Sequence, residues 1–292
     1  MAVKVIVSGG TGFVGEPLVR QLLRRGAEVD VLSRNPAKVR AGRGIPWSAV
    51  GEAATADVVI NLAGENVGAG RWTEARKRSI LESRIHATTT LVEAMRSTPS
   101  QSRTFISASA VGFYGVRGDE VLDETASSGT GFLAEVTRKW EEAARGSEGI
   151  ARVVIFRFGV ILARDGGALK KMLLPFWFGM GGPIGSGEQW ISWVDRQDVL
   201  RAVEWAIDQP QVRGTFNMTA PEPMRNRDFS RALGRAVHRP SFMPAPAFAL
   251  RLALGQMAEE ILLGGQRVIP ARATSEGFTF SYPALQASLA QT

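Results

Sequence analysis

The 292 residues are 45% hydrophobic and 22% charged, a balance that buries a sizeable core and excludes a disordered, collagenous or coiled-coil chain. With no cysteine and only two histidines, a disulfide framework, a thiolate zinc site, a cysteine nucleophile and a His-rich metal site are all excluded. The formal charge of +7 rests on 29 arginines and six lysines scattered among acids, as in Glu74-Ala-Arg-Lys-Arg78, which is the pattern of a solvated face and not of a nucleic-acid stripe.

In chain order, a β-branched run predicts a strand at 3–7, then a helix over 12–25 with Val14, Leu18, Leu22 and Leu23 on one face. A second strand follows at 27–32 and a short third at 45–47. The fourth, 56–62, contains Asp57-Val-Val-Ile-Asn-Leu62, apolar enough to be buried on both faces. A long helix spans 74–96, a strand 104–107, a helix 132–145 and a strand 152–156. This alternation predicts a doubly wound parallel α/β sheet, Rossmann-like, over residues 1–165. Glycine pairs then break the chain into loops around 170–178. Helices return at 195–208, 226–237 and 246–263, so that 166–292 reads as a smaller, mainly helical C-terminal lobe, the substrate side of the molecule. The segments 262–270 and 277–283 have no clear assignment. No run approaches the roughly 18 apolar residues of a membrane span. The expectation is a cytoplasmic monomer or homodimer that acts on a small molecule, with no nucleic acid and no membrane.

The strongest motif is Ser8-Gly-Gly-Thr-Gly-Phe-Val-Gly15, in which Gly9, Gly12 and Gly15 end a strand and open a helix. The first glycine permits the tight turn and the second admits a pyrophosphate close to the backbone. The third lets helix and strand pack, while the helix N-terminus offers free N–H groups to the anion. Thr11, Phe13 and Val14 belong to that cradle. The end of the second strand selects the dinucleotide: an acidic residue there holds a ribose hydroxyl, an arginine a 2′-phosphate. Ser33 and Arg34 occupy the position and Asp30 lies three residues too early, so NADP(H) is expected in preference to NAD(H), which such a turn also accepts. Asn61-Leu62-Ala63-Gly64 ends the fourth strand, where small residues let backbone pass under the adenosine half. Ser107 ends the next, where a hydroxyl can face the nicotinamide.

These segments, with Phe105-Ile-Ser-Ala-Ser-Ala-Val-Gly-Phe-Tyr-Gly115, resemble the extended short-chain dehydrogenase/reductase superfamily. The closer similarity is to its atypical sugar-nucleotide-epimerase-like branch, which carries a short C-terminal domain. Arg71-Trp72, Ser83-Arg84, Trp140-Glu141, Gln189-Trp190, Ser192-Trp193 and Gly264-Gly-Gln-Arg-Val-Ile-Pro270 carry it across nearly the whole chain. The resemblance implies NADP(H) contacts at Ser33, Arg34, Leu62, Ala63, Arg84 and around Val160.

One departure stands out. The superfamily's Tyr-x-x-x-Lys pair is missing: Tyr114 and Tyr282 are the two tyrosines, neither is followed by that lysine, and the corresponding helix reads Phe132-Leu-Ala-Glu-Val-Thr137. The usual catalytic serine aligns with Ala110, beside Ser109. Ser109 or Tyr114 is therefore expected to donate an orienting hydrogen bond to the substrate. Lys77, near the start of the long helix, is a further site candidate. Phe113, with Trp190 or Trp193, and Phe176 nearby, would wall a slot for a flat conjugated carbonyl compound such as a quinone, which needs no strong protein acid. The rivals are a non-catalytic NADP(H)-binding redox sensor and a sugar-nucleotide epimerase, the second weakened by the lost tyrosine base.

Overall fold

The computed structural model describes residues 2–100 and 102–290. Strands β1 (Lys4–Ser8), β2 (Glu28–Ser33), β3 (Arg43–Pro46), β4 (Val58–Asn61), β5 (Thr104–Ala110), β6 (Arg152–Phe158) and β7 (Gly214–Met218) form one sheet in the order β7-β6-β5-β4-β1-β2-β3. Every pairing in it is parallel. The order reverses between β1 and β4, and the crevice at that switch point, beyond the carboxyl ends, is where such sheets bind ligands.

Side chains alternate across the sheet as strand geometry requires. Val5 and Val7 face α1 (Gly15–Arg24) and α5 (Arg196–Asp208), in a core with Leu18, Val31, Phe156 and Val203. Ile6 and Val59 face α2 (Glu74–Arg96) and α3 (Phe132–Arg145), packing with Leu91, Met95, Phe105 and Ile155. On α1, Val19 is buried and Leu23 exposed, reversing the expected contribution of Leu23. Thr73 starts α2 by accepting the Arg76 N–H on its side-chain oxygen.

The C-terminal half departs from expectation at three places. Residues 167–177 are not a loop but α4 (Gly167–Trp177). Ala168 to Leu174 are mostly good helix formers, and Pro175 falls in the last turn. The expected single helix over 246–263 is α7 (Ala247–Leu254), stopped by Gly255 at φ 59°, followed by a π-helical turn over Ala258–Leu263. Gly214–Met218 returns to the main sheet as β7 beside β6, a strand that the sequence pattern does not announce. Between β7 and α7 in the chain lies α6 (Asn226–Ala236).

The π-helical turn reaches back to the first half. Gly131, at the head of α3, has no side chain to cap it, and the Glu260 carboxylate instead accepts the N–H groups of Phe132 (2.9 Å) and Leu133 (2.8 Å). A carboxylate there also suits the helix dipole. Glu260→Ala is expected to lower unfolding free energy by about 1–2 kcal/mol, read from urea melts, and Glu260→Gln by less. An unchanged midpoint would contradict the cap.

Candidate nucleotide site at the carboxyl edge of the sheet

Ser8 and Asn61 sit side by side where β1 and β4 end, and the Ser8 hydroxyl donates to Asn61 Oδ1 at 2.7 Å. Asn61 Nδ2 donates to the Thr88 hydroxyl on α2 (2.8 Å), and the Leu62 N–H to the Ser8 carbonyl (3.0 Å). This buried lattice fixes the crevice. Above it Gly9 adopts φ 75°, and a Cβ there would stand 2.6 Å from the Leu62 carbonyl. A Cβ on Gly15 would come within 2.2 Å of the Gly9 oxygen, whereas one on Gly12 would meet only that oxygen, at 3.2 Å. The three glycines therefore differ in degree: Gly9 and Gly15 are pressed against several backbone atoms below 3 Å, whereas Gly12 meets a single backbone oxygen.

No side chain caps α1, and the amides of Thr11, Phe13 and Val14 have no partner among the described residues. They form a ready anion cradle. The Phe13 ring rests against Gly166 and Gly167, with the Arg196 guanidinium over it at 4.8 Å, so the head of α4 abuts the turn. Arg196 is itself held by Asp165 through bonds of 2.7 and 2.8 Å.

Gly64 lies against the Arg84 guanidinium, which donates to the Ile80 and Glu65 carbonyls and sits 5.0 Å over the Trp140 ring. Burial pulls Arg84 down to about 10, opposed by Glu65. Leu62, Ala63, Gly64 and Arg84 thus converge with the glycine turn. Ser107, opposite Asn61 in the β4–β5 register, is fully buried and donates to the Ala108 carbonyl.

At the end of β2, Asp30 is taken. Arg43 Nε and Nη2 donate to its two oxygens at 2.6 and 2.7 Å, and Glu52 shares the same guanidinium. The Ser33 hydroxyl accepts the Asn35 N–H at 3.1 Å. Arg34 is exposed and has no ion pair or hydrogen bond among the described residues. Among the described residues the end of β2 thus has no free carboxylate for a ribose hydroxyl, while the Arg34 cation, with Lys38 and Arg40 after it, is left for an anion.

The two expected orienting donors are placed differently from the sequence reading. Ser109, Arg157 and Asn217 lie in one row across β5, β6 and β7, facing α3. There Arg157 Nε and Nη2 donate to the buried Glu141 carboxylate (2.7 and 2.8 Å), and Ser109 donates to the same group at 2.8 Å. Tyr114, fully buried, donates to Asn217 Oδ1 at 2.7 Å and accepts from Arg157 Nη1 at 2.9 Å. Burial pushes its hydroxyl above the usual tyrosine range, only partly offset by Arg157, so it is a poorer acid than a free phenol. Burial alone would lower Arg157, but its bonds to Glu141 outweigh this and raise it. Both hydroxyls are thus engaged in this network rather than left without partners. Sequence spacing hid Arg157 and Glu141, since the bonded pairs Arg157–Glu141 and Tyr114–Asn217 are 16 and 103 residues apart.

The proposed slot walls also separate. Trp193 is fully buried and Phe176 nearly so, both in the core of the C-terminal lobe with Leu169, Phe229 and Leu233, because their ring area is what that small core is made of. Phe113 and Trp190 remain half-buried. Phe113 lies under Arg157, 3.4 Å from guanidinium carbon to ring centre. Trp190 lies between Arg225 (4.3 Å) and Arg267 (4.6 Å) and donates to Asp119 at 2.7 Å. That bond, with the two cations, holds the Asp119 carboxyl below its ordinary range. Val160 donates its N–H to the Ser192 carbonyl, joining the end of β6 to this region. Lys77 pairs with Glu74 and points its ammonium at the Phe132 ring, 5.7 Å away, at the first turn of α3.

The model of the NAD dependent epimerase/dehydratase family matches residues 5–137, and that of a domain of unknown function (DUF1731) matches 245–292. The mouse epimerase family protein SDR39U1 is 39% identical over 98% of both chains. The chain belongs to the epimerase family. Another member, YfhF of Bacillus subtilis, is 38% identical and covers 98% of this chain and 97% of its own. Among solved structures, human epimerase family protein SDR39U1 with NADPH superposes with a TM-score of 0.91 at 35% identity, covering 99% of this chain and 98% of that one. UDP-glucose 4-epimerase of Thermus thermophilus with NAD (TM-score 0.75, 19% identity, covering 99% of this chain and 97% of that one) shares the fold alone. The resemblance carried by residues 9–15, 61–64 and 105–115 and the Rossmann-like fold class are thereby established.

Proposed function

We propose that this epimerase-family chain is an NADP(H)-dependent oxidoreductase, and that its acceptor is a flat conjugated carbonyl compound of quinone type. Residues 1–165 would hold the nucleotide and 166–292 the substrate, with 196–218 lent back to the first half as α5 and β7. The observation that carries the cofactor is the free Arg34 beside an Asp30 already bound by Arg43. The uncapped amides of Thr11, Phe13 and Val14 fit a pyrophosphate, and the NADPH in the human relative agrees. When bound, the nicotinamide supplies hydride.

The chain's own residues do the rest. Gly9, Gly12 and Gly15 admit the phosphates, Ser33 and Arg34 receive the 2′-phosphate, and Leu62, Ala63 and Gly64 run under the adenosine. Arg84, Ser107 and Val160 border the remainder. Positioning of donor and acceptor then contributes most of the rate. With Ser109 and Tyr114 committed elsewhere, Lys77, in the first turn of α2 and facing Phe132 at the head of α3, is the ionisable group we assign to the substrate carbonyl, with Phe113 and Trp190 as the flanking rings. A quinoid acceptor spreads its charge over the ring, so an obligate tyrosine acid is not required.

Two measurements test this. Arg34→Asp should weaken NADPH by about one to two decades and leave NADH unchanged, because one charge-assisted contact is worth roughly 1.5–3 kcal/mol. NADPH oxidation followed against quinones, aliphatic ketones and sugar nucleotides should proceed with the quinones alone, and Lys77→Met should slow it. The sequestered hydroxyls of Ser109 and Tyr114 favour a second reading, a non-catalytic NADP(H) sensor. NADPH binding without turnover of any acceptor would select it.

A further inference from the structure

Eight of the large exposed hydrophobic side chains fall between residues 174 and 252, in the C-terminal lobe. Leu174, Trp177 (56% exposed) and Phe178 (70%) end α4. Phe242 (70%), Phe248 (72%) and Leu252 belong to the 242–252 segment and α7, a helix that buries none of its residues. Backbone bonds set these two stretches side by side: the Met243 N–H donates to Gly181, Ala245 to Pro183 and Gly185 to Ala245. The loop before α2 ties the far ends of both helices, through Lys171 Nζ to the Gly68 carbonyl and Arg71 Nη1 to the Leu252 carbonyl. The two stretches that carry these exposed side chains are therefore neighbours on the surface.

Cations border this part of the surface. Lys170 lies one and two helical turns from Leu174 and Trp177 on the same exposed stripe of α4. Arg235, His238 and Arg239, next to Phe242 at the end of α6, are exposed and have no acidic partner among the described residues. The nearby carboxylates are already used, Asp228 by Arg231 and Glu259 by Arg251. A face of aromatic and aliphatic side chains rimmed by free cations matches the interfacial layer of an anionic membrane, in which the rings enter the headgroup region and the cations meet lipid phosphates. A second copy of this chain does not match: a symmetric contact would bring the same unpaired cations together.

We propose that this face docks peripherally on anionic lipid bilayers. No helix among the described residues is long and apolar enough to cross a membrane, so the association is at the surface. The test is co-sedimentation of the full chain with vesicles of phosphatidylcholine alone or with about a third phosphatidylglycerol. Pelleting should require the anionic lipid and fall when salt is raised from about 50 to about 500 mM. Arg235→Glu/Arg239→Glu and, separately, Trp177→Glu/Phe178→Glu should each reduce it at least about tenfold, with circular dichroism and melting midpoints unchanged. Equal pelleting with neutral vesicles, or pelleting that survives either double substitution, would overturn the proposal. So would the absence of pelleting with a dimer in light scattering that Trp177→Glu/Phe178→Glu dissolves, which would give the face to a second copy.

Discussion

Glu141→Ala is expected to lower the free energy of unfolding by about 3–5 kcal/mol, one of the largest losses available to a single substitution in this chain. Glu141 is fully buried and Arg157 almost so, and the carboxylate accepts from Arg157, Ser109 and Arg145 together. Removing it strands a guanidinium in the interior against the Phe113 ring, with only the Tyr114 hydroxyl left to accept from it. Glu141→Gln, which keeps an acceptor for Ser109 but removes the charge, should fall between wild type and Ala. Replacing both members, as in Glu141→Leu/Arg157→Met, should cost less than Glu141→Ala alone, since no charge is stranded. Urea melts with unchanged slope would measure all three. A loss below about 1 kcal/mol for Glu141→Ala would show that the pair is not the closed unit described.

Gly9→Ala and Gly12→Ala should separate packing from binding. At Gly9 the new methyl would collide with the Leu62 carbonyl carbon and oxygen at 2.6 Å, on a backbone with φ 75°. Strain and overpacking together should cost about 2–5 kcal/mol and abolish measurable NADPH binding by shifting the turn. At Gly12 the methyl meets only the Gly9 oxygen, at 3.2 Å, so stability should change by less than about 1 kcal/mol. That methyl would nonetheless occupy the approach to the pyrophosphate and weaken NADPH. Thermal melts combined with fluorescence titration read both. Equal stability losses at the two positions would contradict the assigned geometry of the turn.

The glycine turn was legible in the sequence because only glycine satisfies those contacts, so residue type alone reports the geometry. Asn61 and the small residues after it were legible for the same reason. Strand β7 was not. Thr215-Phe-Asn-Met218 reads as a half-polar segment, and its burial depends on Asn217 finding Tyr114 and the Ile269 carbonyl far along the chain. The same distance in sequence concealed the roles of Ser109 and Tyr114. A hydroxyl at the end of a strand looks available until the carboxylate on the facing helix is located. The aromatic walls failed in part because a small lobe must fill its core with large rings, and Trp193 and Phe176 supply them. Glu260 had no local signature, since its partner amides lie 127 and 128 residues away.

The most direct test of the account is the wild-type chain titrated with NADPH and with NADH under identical salt, following quenching of intrinsic tryptophan fluorescence. Arg34 is free and Asp30 is bound by Arg43, so NADPH should bind at least about tenfold more tightly than NADH. Equal affinities, or tighter binding of NADH, would contradict it.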